Sequence, residues 1–182
     1  MTKIEIIYNL NYSVSEYADI CIKMDKTTFF SRINDKWSPA ENTEHLVLAI
    51  DPLIIAFTLP AFLLRILFKT PNRQSHAYAA LVEKYHKKLE EGYKASAPYI
   101  PKKITTKKEI EMVVKKFSDA HKKLIATFDR WKDADLDKYL LPHPLLGKLT
   151  LREMMYFTIL HVNHHQHAIK TNLKIAPIYG NE

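Results

Sequence analysis

Cysteine is nearly absent, with Cys21 the only one in 182 residues. A single thiol excludes an internal disulfide and a thiolate metal cluster, and it fits a reducing cytoplasm. Glycine is almost as scarce, at 3 residues, while Leu, Lys, Glu and Ala abound. A mostly helical chain is the expectation. No continuous apolar run occurs in the first 30 residues, so no signal peptide is predicted. Later, the run from Leu46 to Phe68 is long enough for a span, which takes about 20 apolar residues. Asp51 and Arg65 interrupt that run, and Pro52 and Pro60 break its hydrogen bonding. It therefore reads as a buried core helix that stops or kinks near Pro52 and then resumes, and no membrane partner is expected.

Acidic residues are outnumbered: 27 Lys and Arg against 20 Asp and Glu leave a net charge of +7. Such a balance can signal nucleic acid or an anionic surface. Arginine clusters with interleaved aromatics and recognised nucleic-acid motifs are lacking, however. Lys108, Lys115 and Lys122 recur every seven residues, opposite an apolar stripe. They read as a solvated helix face, and no nucleic-acid partner is expected.

What is present is helical periodicity. A hydrophobic fraction of 47% suffices for one core, so the expectation is one domain over residues 1–182, with its core about 13–169 and a tail from 174. Ser13 to Glu16 matches a capping box, predicting a helix from there to about Ile33 with Tyr17, Cys21, Met24 and Thr28 inward. Ser38-Pro39-Ala40-Glu41 is the clearest helix start: a cap, a first-turn proline and a closing glutamate. Ala77 to Glu90 reads as a shorter helix ended by Gly92. Thr106 to Trp131 carries Ile110, Val114, Phe117, His121, Leu124 and Phe128 at alternating steps of four and three. Leu140 to Gly147 reads as a proline-bracketed loop, after which Thr150 and Glu153 cap a last helix reaching about Ile169. The fold class expected is all-α: a four-helix bundle with an extra short helix and long connections.

On that last helix Met154, Thr158, His161, His165 and Ala168 share one face. His161 and His165 lie four apart, so their rings are neighbours that can converge on one point. Nine histidines make such a pair an ordinary coincidence. Burial sharpens it, because inward imidazoles need partners, either each other or a metal. Catalytic zinc sites commonly use three protein ligands plus water, so a third must come from another helix. His45 and His121 are the candidates. His164 and His167 turn progressively away from the stripe, while His76, His86 and His143 read as loop or surface groups. The pattern is not the HExxH of thermolysin-type proteases, since Val162 follows His161. Glu41 is the one nearby carboxylate that could serve as a base, although capping explains it better.

Three stretches resemble the DinB-like (YfiT-type) superfamily: WSPAENTEHLVLAI around His45, LFKTPNRQSHAYAALVEKYHKKLEEG, and HPLLGKLTLREMMYFTILHVNHHQHAI around His161 and His165. They occur in order over roughly Ser13 to Ile169. The resemblance implies a four-helix bundle with a triple-histidine site, one histidine on the second helix and an HxxxH pair on the last. Carried over by position, His45, His161 and His165 would hold a divalent metal (zinc, nickel or iron). Relatives include thiol S-transferases using bacillithiol, mycothiol or glutathione, and maleylpyruvate isomerases, and related bundles often pair as dimers. The expectation is a metal-dependent enzyme of thiol S-transferase or hydrolase type, with a small-molecule substrate such as a low-molecular-weight thiol. The alternative is a non-catalytic metal- or ligand-binding bundle. Three ligands favour the enzyme, because structural zinc sites are almost always closed by four.

Overall fold

Ser38 sets the register of the helix that matters most. Its hydroxyl accepts from the Glu41 N–H while the Glu41 carboxylate accepts from the Ser38 N–H, and Pro39 fills the first turn. The computed structural model describes residues 1–104 and 108–174. Its helices are α1 (Lys3–Ile22), α2 (Lys26–Phe30), α3 (Pro39–Thr58), α4 (Ala61–Phe68), α5 (Tyr78–Glu90), α6 (Ile110–Asp129) and α7 (Leu151–Asn172). A two-stranded antiparallel hairpin, β1 (Leu140–His143) and β2 (Gly147–Thr150), precedes α7. The protein is thus mostly helical, as the composition predicts.

The four long helices form a cycle of contacts: α1 with α6, α6 with α3, α3 with α7, and α7 with α1; α5 adds to the outside of α7. Two apolar clusters fill the interior. One joins Ile6, Leu10, Ile50, Leu124 and Met155 with the hairpin's Leu141 and Leu149. The other joins Tyr17, Cys21, Phe29, Val47, Phe117 and Val162. The expected stripe of α6 is buried throughout, from Ile110 to Phe128. Lys108, Lys115 and Lys122 are exposed as expected.

Several expectations are corrected. The first helix begins at Lys3, not Ser13, because Thr2 and Glu5 form the working capping box. Ser13 lies inside α1 and is buried, continuing the inward line of Ile6 and Leu10 to Tyr17 and Cys21. That helix ends at Ile22, and the residues toward Ile33 form the separate short α2. Met24 and Thr28 are only half-buried. Pro52 does not stop α3. It lies on an exposed position of a helix that continues to Thr58, where water can satisfy the carbonyl left without a donor. The break comes instead at Pro60, which holds Leu59 extended at ψ 143° and turns the axis by 117° into α4.

Only Leu64 of α4 is buried, so the second half of the apolar run is not core; Phe62, Ile66 and Leu67 face outward. Among the described residues, no single helix is long and apolar enough to cross a membrane. The expected loop over Leu140 to Gly147 includes β1 and its turn, and Gly147 takes φ +77°, which a side chain would strain. Helix α6 ends at Asp129. Trp131 lies just beyond it, its indole N–H donating to the Phe57 carbonyl at 3.0 Å. The expected start at Thr106, Lys107 and the tail beyond Lys174 lie outside the described residues.

Candidate metal centre

The caps of α3 and α7 bring the chosen histidines together. His45 lies two turns into α3, and His161 and His165 lie on α7; all three are buried at 6–7% exposure. The His161 Nε2 is 3.0 Å from the His45 Nε2 and 3.0 Å from the His165 Nε2. Three ring nitrogens thus meet at one point. They form the one group of this kind among the described residues.

Which nitrogens carry protons follows from their other partners. The His45 Nδ1 is 2.6 Å from the Tyr99 carbonyl oxygen, which can only accept, so Nδ1 bears the proton and Nε2 a lone pair. The His165 Nδ1 is 2.6 Å from the Asn42 Oδ1. Asn42 is oriented by its own Nδ2, which donates to the Trp37 and Ser38 carbonyls. His165 therefore also donates from Nδ1 and presents a bare Nε2. Burial pushes the pKa values of all three below the usual imidazole range, and for His161 and His165 neighbouring histidines push further the same way. The cluster is neutral, as metal coordination requires.

These residues fit a divalent ion. Without one, at most one proton on the His161 Nε2 can be shared between two facing lone pairs. Zinc–nitrogen bonds of about 2.0–2.1 Å at tetrahedral angles place neighbouring nitrogens about 3.3–3.4 Å apart, so each of the two 3.0 Å pairs needs to open by only a few tenths of an ångström. The Nδ1 bonds to Tyr99 and Asn42 are the supports that ligating histidines normally have.

Replacing Asn42 by Ala should weaken metal binding about 10–100-fold, read by competition with a chromophoric chelator. An unchanged dissociation constant would show that the bond to His165 orients nothing.

The model of the DinB superfamily matches residues 24–169. The chain belongs to the DinB superfamily. No curated protein and no solved structure matches it. In this DinB protein the three histidines border a cavity of about 860 Å³, walled by α3, α5, α7, the hairpin and the connector that carries Tyr99.

His121, the rival third candidate, stays outside the group. Its Nδ1 donates to the Phe117 carbonyl one turn back, and its buried Nε2 has no partner among the described residues. His164 borders the cavity half-buried, His167 is exposed, and His76 and His86 are exposed as expected. His143 is a correction: it packs 4.1 Å from the Phe157 ring in the cavity wall and is no simple surface group. Glu41 faces elsewhere, held by the Ser38 N–H and a bidentate Arg32, so it is no base for this cavity.

Sequence reasoning missed Asn42, Trp37 and Tyr99. Trp37 follows a tight turn in which Asn34 and Asp35 take φ 51° and 60°, and its ring lies 5.0 Å from His45 and stacks on His165 at 6.4 Å. Asn42 sits one turn before His45, a spacing that could have marked it. For Tyr99 only a backbone carbonyl acts, which no side-chain pattern reveals.

Proposed function

We propose that this DinB protein is a metal-dependent enzyme of thiol S-transferase or hydrolase type. In this reading its long helices form the family's four-helix bundle within one domain, and His45, His161 and His165 hold one zinc, nickel or iron ion. The observation that carries the reading is the convergence of three Nε2 atoms beside an open cavity. Three ligands facing a space large enough for a small molecule suit catalysis better than a closed structural site. A bound divalent ion supplies Lewis acidity there and makes a water or thiol easier to deprotonate.

The chain's own residues do the rest. Tyr99 and Asn42 fix two imidazoles with their lone pairs toward the centre. Trp37 covers the His45 and His165 rings and restricts water on that side. Phe157 stacks along His161 at 5.0 Å and extends the apolar wall on which a substrate body can lie. Asp35 is the only carboxylate lining the cavity among the described residues, so the site does not repel an anionic thiolate strongly.

Metal analysis of the purified protein, followed by a screen of low-molecular-weight thiols and hydrolytic substrates, tests the reading. One ion per chain is expected, with turnover that disappears on chelation and returns with metal. Turnover that survives complete chelation would overturn it.

A further inference from the structure

The cavity wall contains two hydrogen-bond donors that the three-histidine centre does not use. His143 closes β1, and its Nδ1 accepts the N–H groups of Leu145 at 3.1 Å and Leu146 at 3.0 Å. A ring nitrogen that accepts two N–H groups carries no proton, so the proton sits on Nε2. That N–H has no hydrogen-bond partner among the described residues, although the ring borders the cavity. Burial, and after it the charge of Lys84, push the His143 pKa down to about 4, so the ring stays a neutral donor.

Tyr85 stands on α5 with only 5% of its surface exposed. Its ring lies 5.5 Å from Phe157, the ring that His143 also packs against. The Tyr85 hydroxyl likewise has no partner among the described residues, and burial raises its pKa to about 12. Both donors are therefore one aromatic ring away from His161. The cavity between is largely apolar, with Leu53, Leu141 and Met154 among its walls.

We infer that the His143 Nε2–H and the Tyr85 hydroxyl form the polar end of a substrate subsite, receiving the carbonyl or carboxylate oxygen of a small molecule whose apolar body lies along Phe157. The inference rests on the proposed metal centre only for where the substrate's other end sits. Donors that line a largely apolar cavity and lack a partner among the described residues favour a ligand that supplies an acceptor. An analogue without the oxygen leaves them unpaired.

Two neutral probes differing in one atom group test this: 4-acetylbenzyl thiol and 4-isopropenylbenzyl thiol, in which a methylene replaces the carbonyl oxygen. Calorimetric titration of the zinc-loaded protein should give about tenfold tighter binding of the acetyl compound. Tyr85→Phe removes only the hydroxyl. His143→Asn keeps an acceptor, Oδ1, for the turn N–H groups while withdrawing the ring donor. Each should erase part of the preference and the pair together nearly all of it, with zinc stoichiometry unchanged. No preference in the wild type, or one that survives both substitutions, overturns the inference. A wild type that binds no metal would defeat the metal-centre reading alone, because the same two thiols then report the same ratio on the metal-free protein. If His143→Asn fails to fold by circular dichroism, Tyr85→Phe carries the test under the same criterion.

Discussion

His161→Ala should take zinc binding from one ion per chain to none that survives dialysis, whereas His167→Ala should leave it at one. His161 stands at the middle of the cluster, 3.0 Å from the Nε2 of each of the other two histidines, so its removal leaves only two of the three candidate ligands. Even loss of an outer support costs about 10–100-fold in affinity, and loss of a ligand costs more. His167 lies six positions further along α7 and faces solvent. The fold should survive in both variants, since the long helices bury their own apolar stripes. Equal zinc content in the two, measured by elemental analysis, would remove His161 from the site.

The second large effect concerns stability. Glu153 is fully buried at the start of α7 and accepts from the Thr150 N–H, the His76 N–H and a bidentate Arg73. Its carboxylate thereby ties the α7 cap to the segment before α5. Glu153→Ala should destabilise the protein by roughly 2–4 kcal/mol, from the N–H groups of His76 and Thr150 left unpaired and the loss of the cap, since Arg73 is exposed enough to be re-solvated. Urea denaturation would measure this.

The same residue dictates a pH dependence. Burial pushes its pKa up, but Arg73 and the N–H groups of His76 and Thr150 outweigh that and hold it at about 2, below an ordinary 4.5. A depressed pKa gives stabilisation that is complete above about pH 4.5 and is lost as pH falls toward 2, about 3 kcal/mol in all. The wild type should lose that increment on acidification, and Glu153→Ala should not. Parallel acid profiles for the two proteins would contradict the assignment.

Much of this was legible because it is local. The caps at Ser38 and Thr150 each need only residues three apart, and the α6 stripe needs only its own periodicity. The spacing of His161 and His165 put them on one face, but it took the family resemblance to mark them as a site and to single out His45 over His121. Other features were illegible because distant residues decide them. Thr2–Glu5 and Ser13–Glu16 carry the same local signal, and only the burial of Ile6 and Leu10 selects the first. Pro52 and Pro60 look alike as breakers, yet one falls on an exposed position of α3 and the other ends it. The bond from His165 to Asn42 joins residues 123 positions apart, and no helical pattern predicts it. His143 reads as a loop residue until the hairpin turns its Nδ1 onto two backbone N–H groups.

The three-histidine group, loaded with one metal ion, should leave room for a further ligand. Cobalt substitution tests it most directly, because the visible bands of that ion follow its coordination number. Azide added to the cobalt-loaded protein should change the position and intensity of those bands, saturably and at one site per chain, while circular dichroism of the metal-free protein still shows the folded helices. A spectrum indifferent to azide, together with cooperative unfolding of the metal-free form at room temperature, would mean that the ion is a closed structural element whose binding energy is folding energy.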